Sequence, residues 1–447
     1  MTAGSTTSTE LKTPIRRVLR PIQQFIQTES SSGLVLLAST IIALIWVNLA
    51  PESYNGTWDT RASFRLGAAV MELSLRDWVN DGLMVIFFLL VGMEIKRELL
   101  VGELSSPRKA LLPIAAALGG MVVPALCYLS LNIGTDSARG WGIPMATDIA
   151  FALGVLALLG RRVPTGVKVF LAALAIADDL GAVLVIAIFY TESLQFSALG
   201  ASVLIFLVLL LSNWAGIRWL SWYGVFGLLL WLAVFNSGVH ATIAGVLLAM
   251  AMPAWSRIDL PRFRQHLEET TRELKEHGDP TGTVLADEDL LSRVTNLRSA
   301  CTRLQPSLHR LEHDLAPWVA MLIMPIFAMA NSGVYLAQAG SGLGDPLALG
   351  IALGLLVGKP VGITLGSWLV VRFGLASLPR NTSWKHLVGV GMLGGVGFTM
   401  ALFIAGLAFG EGARLDTARL AILSSSALAG FAGFLFLRRM PPVKLEE

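Results

Sequence analysis

Four ionisable residues stand where charge is expensive. Asp178 and Asp179 are adjacent in the apolar run VFLAALAIADDLGAVLVIAIFY, Lys359 interrupts LLVGKPVGITLG, and Asp148 lies in IPMATDIAFALG. Asp81 sits nearer the end of another apolar run. On insertion scales a central Asp or Lys costs about 2.5–3.5 kcal/mol in a bilayer. Four of them would cost roughly 10–14 kcal/mol, comparable to the whole stability of a domain. Such groups face a protein interior or water, not lipid. Ion pairs that merely tie helices together account for Lys359 with one aspartate, and for Asp148 as a helix cap. They leave the Asp178–Asp179 pair with surplus negative charge. Successive helical residues point about 100° apart, so one carboxylate can meet Lys359 while the other faces a cavity. Two carboxylates this close in low dielectric exchange protons in coupled steps. A hard, oxygen-seeking cation competes with those protons for the same lone pairs. The chemistry these residues suit is linked binding of a proton and a cation.

The elements that must position them are membrane helices. Of 447 residues, 54% are hydrophobic and 15% charged, and the mean hydropathy is +0.66. Soluble proteins carry about 25% charged residues, so a soluble enzyme, a nucleic-acid binder and a disordered scaffold are excluded. The net charge of +3 says little about partners, because the charges are unevenly placed. Cys127 and Cys301 are isolated from each other and form no disulfide framework or metal motif. Residues 1–30 lack a cleavable signal pattern.

A bilayer-spanning helix needs about 20 apolar residues. About twelve such runs occur, at 31–50, 79–101, 109–132, 142–160, 166–191, 196–213, 217–236, 238–254, 316–338, 346–371, 385–409 and 416–437. Lys and Arg crowd the segments that an inside N-terminus leaves in the cytoplasm, among them Arg16, Arg17, Lys96, Arg97, Arg161, Arg162, Arg438 and Arg439. They are scarce in the alternate loops, which places both termini inside. The organisation expected is a cytoplasmic segment at 1–30, spans 1–8 over 31–254, a charged cytoplasmic loop at 255–315, spans 9–12 over 316–437 and a tail at 438–447. Within 1–30, RRVLRPIQQFIQ is a basic amphipathic helix suited to the lipid surface. The 255–315 loop reads as two solvated helices broken near Gly278-Asp279-Pro280. Tyr54-Asn55-Gly56 predicts the turn of a small external β-hairpin.

Two spans read as broken. Gly389, Gly391, Gly394, Gly395 and Gly397 crowd span 11, and each mid-helix glycine costs up to about 1 kcal/mol. Span 4 shares with it the pattern G-x4-T-x3-F-x2-G, at Gly142, Thr147, Phe151 and Gly154 and at Gly394, Thr399, Phe403 and Gly406. Matching interrupted spans in two halves point to an inverted repeat, here of spans 3–5 and 10–12. Crossed half-helices bring like dipole ends together. Asp148, beside Thr147, can compensate the positive ends and Lys359 the negative ones.

The chain resembles the NhaA family of bacterial sodium/proton antiporters along nearly its whole length. The resemblance is carried by NDGLMVIFFLLVGMEIKREL at 80–99, ATDIAFALGVLALLG at 146–160, LAIADDLGAVLVIAIFYT at 174–191, GVHATIAGV at 238–246, LEHDLAPWVA at 311–320 and GVGFTMALFIAGLAFG at 395–410. It implies an all-α integral membrane protein with the inverted repeat and with spans 4 and 11 broken and crossing. It implies that Asp178 and Asp179 bind the cation and proton, with Asp179 the preferred direct sodium ligand. Lys359 then pairs with Asp178, and Asp148 with Thr147 marks the span 4 crossing. Glu94, Arg97, Glu98 and Glu312 resemble a cytoplasmic cluster associated with pH activation, and His240 a histidine that affects it. The connection between spans 8 and 9 is longer than the family pattern.

The function implied is electrogenic, pH-regulated export of Na+ or Li+ against H+ taken up. The location implied is the bacterial inner membrane, in contact with lipid, as a homodimer, with no nucleic acid partner and no cofactor beyond the transported ions. The alternative is a cation- or proton-coupled transporter of a small organic solute. It would need a larger polar pocket than the few deep polar residues suggest. A channel would favour repeated polar rings.

Overall fold

The computed structural model describes residues 29–66, 69–191, 194–254, 306–335, 344–379 and 381–440, with a few single positions between 264 and 295. The amphipathic run at 16–27, most of the 255–315 loop and Cys301 lie outside the described residues. The chain divides into two compact units. One comprises Met1–Met84, Ser106–Tyr190 and Pro317–Glu447, the other Val85–Ser105 and Thr191–Ala316.

In chain order the described elements begin with α1 (Glu29–Leu49) and α2 (Pro51–Trp58). They continue with β1 (Arg61–Leu66), β2 (Ala69–Ser74), α3 (Leu75–Leu100) and α4 (Pro107–Asn132). After a 3-10 helix at Asp136–Met145 come α5 (Ile149–Leu158), α6 (Thr165–Phe189), α7 (Phe196–Ala215), α8 (Leu220–Phe235) and α9 (Ile243–Ala251). Last are α10 (Leu308–Asn331), α11 (Pro346–Arg372), α12 (Trp384–Gly394), α13 (Phe398–Phe409) and α14 (Ala413–Arg438). Among these, 8 helices are long and apolar enough to cross a membrane, or up to 10 if each of two bent pairs is one span. The remaining two apolar runs, 217–236 and 238–254, are the shorter helices α8 and α9. A turn at Asn236-Ser237-Gly238 separates them, with Gly238 at φ 83°, where a side chain is disfavoured.

The hairpin departs from expectation. Tyr54-Asn55-Gly56 is not a turn but part of α2, which Pro51 starts at its first position. Tyr54 points inward, and its hydroxyl donates to the Met329 carbonyl at 2.7 Å. The antiparallel pair lies further on, with Arg61 opposite Ser74 and Leu66 opposite Ala69. Asn-Gly favours a turn only when no competing helix can bury a neighbouring aromatic, and here Tyr54 and Trp58 share one buried helix face.

In the first unit, α4 and α11 pack backbone to backbone. A Cβ on Gly362 would sit 2.1 Å from the Gly119 carbonyl oxygen, and one on Gly366 2.2 Å from that of Ala115. Small residues permit this approach where lipid supplies no hydrophobic force between helices. An apolar core joins Leu112 and Ala116 of α4, Leu156 of α5, Phe170 and Leu174 of α6, Ile363 of α11 and Leu393 of α12. Of the wide, π-helical turns that interrupt the long helices, one lies at Trp78–Leu83 and two more at Val319–Ile323 and Gly354–Gly358. Each of the last two ends two residues before a proline, Pro325 and Pro360. A proline clashes with the carbonyl four residues back and offers it no N–H, and a π turn accommodates both effects.

In the second unit, the same small-residue contact joins α3 and α9. A Cβ on Gly92 would meet that of Ala249 at 2.8 Å, and one on Gly245 the Val85 carbonyl oxygen at 2.3 Å. Leu204, Leu207 and Leu211 of α7 are exposed, as a lipid-facing stripe should be.

Candidate functional site

Two breaks in helix meet in the first unit. The 3-10 helix at Asp136–Met145 and α5 form one bent pair, at 41°, and α12 and α13 the other, at 46°. The first break is Ala146-Thr147-Asp148, two residues after Pro144, and the second is Gly395-Val396-Gly397. Gly395 is required by contact: a Cβ there would lie 2.3 Å from the Leu355 carbonyl oxygen.

Each break satisfies the other's backbone. The Asp148 N–H donates to the Val396 carbonyl at 2.7 Å, and the Thr147 hydroxyl to the Gly394 carbonyl at 2.9 Å. Unpaired peptide groups at membrane depth are tolerated only where protein or water meets them. The Asp148 carboxylate then caps both helices that leave the crossing. Oδ1 accepts the Phe151 N–H of α5 at 2.9 Å, and Oδ2 accepts the Thr399 N–H of α13 at 3.3 Å and the Thr399 hydroxyl. One negative group thus faces two positive helix ends. Ser426 of α14 takes the remaining Phe398 N–H at 3.1 Å. Aligning Thr147 with Thr399 sets 146–148 against 398–400, whereas the second break is 395–397. The shared motif therefore marks both broken spans without superimposing their breaks.

Asp178 and Asp179 lie halfway along α6, and Lys359 follows the π turn of α11. The Lys359 Nζ sits 2.8 Å from Asp178 Oδ2, with side-chain exposures of 1% and 2%. Solvent screening is therefore absent, and neither charge is tolerable without the other. The second oxygen of Asp178, Oδ1, is buried without an aligned hydrogen bond among the described residues, with Thr147 beside the carboxylate. Asp179 is buried as well, at 3%. The carbonyl end of α12 is met by Thr147, while Lys359 is spent on Asp178.

The second unit holds the other anticipated residues. Arg97 Nε lies 3.0 Å from Glu312 Oε1, and Arg97 also lies 3.6 Å from Glu98. Among the described residues neither Arg97 Nε nor Glu312 Oε2 has an aligned hydrogen bond, so the contact is a charge pair of loose geometry. Glu98 Oε2 accepts the Glu103 N–H at 2.8 Å, and Glu94 feels both Glu312 and Arg97. His240 is not brought to this cluster. It precedes α9, whose far end holds Lys96: Nζ donates to the carbonyls of Ala249 at 3.3 Å, Met250 at 2.6 Å and Met252. A rise of 1.5 Å per residue puts His240 about 14 Å away along that axis.

Lys96, Thr399 and Ser426 were not singled out as site residues from sequence. Helical phase carries a signal for Lys96, since it lies about 200° round α3 from both Glu94 and Glu98. Thr399 was visible as the second threonine of the repeated motif.

This fold is that of a helical membrane protein in which two bent helix pairs meet at a buried, charged crossing. Residues 23–437 match the profile of the family described as Na+/H+ antiporter 1, and the chain belongs to that family. It is 49% identical over 427 residues to the Na(+)/H(+) antiporter NhaA of Oleidesulfovibrio alaskensis, covering 95% of each chain. It is 46% identical to the Na(+)/H(+) antiporter NhaA 1 of Saccharophagus degradans, over 95% of this chain and 92% of that one. The Na(+)/H(+) antiporter NhaA of Syntrophobacter fumaroxidans is 46% identical over 94% of this chain and 90% of its own.

Proposed function

We propose that the protein exports Na+, or Li+, in exchange for protons taken up, with Asp178 and Asp179 as the shared cation and proton site. The observation that carries this reading is the buried Lys359–Asp178 pair beside the crossing, in which Lys359 engages Oδ2 and Thr147 stands beside the carboxylate. A cation that reaches the carboxylates needs oxygen ligands, which Asp178 can offer at Oδ1, while for Oδ2 the cation competes with Lys359. Protons and cation then compete for the same lone pairs, so the site carries one or the other. Asp148 neutralises the helix ends, which keeps the crossing intact while the pair changes state. Movement of more than one proton per cation makes the exchange electrogenic. The Glu94, Arg97, Glu98 and Glu312 cluster biases access with pH, and His240, just before α9, modulates it. The protein is a transporter and not an enzyme. We place it in the bacterial inner membrane with twelve spans related by an inverted repeat, both termini cytoplasmic, as a homodimer through β1 and β2. Everted vesicles compared with Na+, Li+, K+ and an organic solute test the reading. Sodium- and lithium-driven proton release is expected. It should vanish in Asp179→Asn protein that is folded and inserted, and wild-type exchange in that variant removes the site.

A further inference from the structure

A polar cavity in the first unit lies where α2, the start of α3 and the start of α14 come together. It has a volume of about 180 Å³, and Tyr54, Asp59, Arg76, Glu411, Asp416 and Arg419 line it. A single water needs about 10–15 Å³ on this measure, so the space takes a tetrahedral oxyanion with water to spare. The charges are layered. Arg419 is 7% exposed, and the Arg76 side chain 14%. Glu411 is exposed, and the Asp59 and Asp416 side chains are 56% and 41% open to solvent. Each guanidinium spends one nitrogen on a rim acid, Arg76 on Asp59 and Arg419 on Asp416, both at 3.2 Å. The two guanidiniums also repel each other and both act on the Tyr54 phenol. Arg76 Nε is buried with no hydrogen-bond partner among the described residues.

A buried and a largely buried guanidinium held within mutual repulsion, with a donor unspent, are an incomplete arrangement. A guanidinium is a planar fork that matches an oxyanion with two parallel hydrogen bonds. An anion between them would cancel the repulsion and satisfy Nε. The rim acids, in high dielectric, weaken that attraction less than the buried cations strengthen it. We propose that this cavity binds a phosphate-class oxyanion, free or as the headgroup of a phospholipid, and that the bound anion locks α2 and α14 against the start of α3.

The test is thermal unfolding of the purified full-length protein in detergent, in potassium salts at constant ionic strength. Potassium phosphate is titrated against potassium gluconate, and dihexanoyl phosphatidic acid against dihexanoyl phosphatidylcholine below micelle formation. An anion that binds only the folded state raises the melting temperature with the logarithm of its concentration once that exceeds the dissociation constant. General exclusion of phosphate from the surface gives a slope linear in concentration that no single variant alters. The logarithmic rise is expected in wild type and should be lost in Arg76→Gln. Arg76→Lys keeps the charge but not the fork and should raise the dissociation constant at least tenfold. Glu411→Gln, which removes an exposed rim charge, should lower it by roughly two- to fivefold. Equal response to inorganic phosphate and phosphatidic acid assigns a free anion, and response to the lipid alone assigns a headgroup. No logarithmic rise with either, or one unchanged in both Arg76 variants, overturns the site and leaves an internal ion-pair cluster. Glu411→Gln protein, with Arg76 and Arg419 intact, keeps the test readable if the Arg76 variants do not fold.

Discussion

At the scale of single residues, burial decides what Lys359 and Asp178 are worth. Both are almost inaccessible and 2.8 Å apart. Removing one partner of such a pair costs about 3–5 kcal/mol, because the other charge stays buried alone. Lys359→Ala should therefore lower the melting temperature in detergent as well as stop exchange. Adding Asp178→Asn should recover most of the stability, since the stranded charge is then gone, without recovering exchange. A double variant no more stable than Lys359→Ala would mean that the loss comes from packing. The proton enters at the same scale. A protonated carboxylate has surrendered the lone pair a cation needs, so apparent sodium affinity should fall steadily as pH falls. Calorimetry at several pH values measures this, and a pH-independent affinity would refute a shared site.

Elements decide where those residues stand. Lys359 is carried by α11, which is held against α4 by bare backbone at Gly119 and Gly362. A methyl group on Gly362 would lie 2.1 Å from a carbonyl oxygen, which cannot rotate away like a side chain. Gly362→Ala should part the helices and cost about 1–3 kcal/mol, the usual range for overpacking. Exchange should fall with stability, because the displaced helix carries Lys359 one turn away. A normal melting temperature with normal exchange would show that the contact relaxes freely. The crossing makes a different demand. Asp148 serves both α5 and α13 with one carboxylate. An asparagine has one acceptor oxygen, so Asp148→Asn should strip one helix of its cap, at about 0.5–2 kcal/mol. Thr399→Val removes a bond to the same carboxylate, so the two losses should add to less than their sum. Strict additivity in the double variant would separate the two residues.

For the whole molecule, the question is how one site reports to another. The charged cluster of the second unit, Arg97 between Glu98 and Glu312, lies in different elements from the Asp178 pair. It can regulate only by interacting differently with two states of the protein. Glu98→Gln and Glu312→Gln should then shift the pH profile of exchange in vesicles while leaving sodium binding at high pH nearly unchanged. A profile that does not move would remove the cluster from regulation. Outside the spans, burial pushes the Tyr54 phenol above its ordinary value, partly offset by Arg419 and Arg76. That tyrosine stays neutral throughout the working range.

Much of this was written in the one-dimensional pattern. Apolar runs of spanning length, the cost of Asp178, Asp179, Lys359 and Asp148 within them, and the glycine-rich breaks follow from composition and local propensity. Each of those properties acts over a few residues, so sequence alone determines it. The partners did not follow. Nothing local to Asp148 says that Thr399, some 250 positions on, would share its carboxylate, or that Thr147 would meet the Gly394 carbonyl and leave Lys359 wholly to Asp178. The Asn55-Gly56 turn failed for the same reason. Its local preference was real, but burial of Tyr54 and Trp58 in one helix face was worth more. Which fork of Arg76 would be left unsatisfied was equally invisible, because Arg419 approaches it from a helix more than 300 residues away. Contacts between distant segments depend on close packing in three dimensions, and only the tertiary structure decides them.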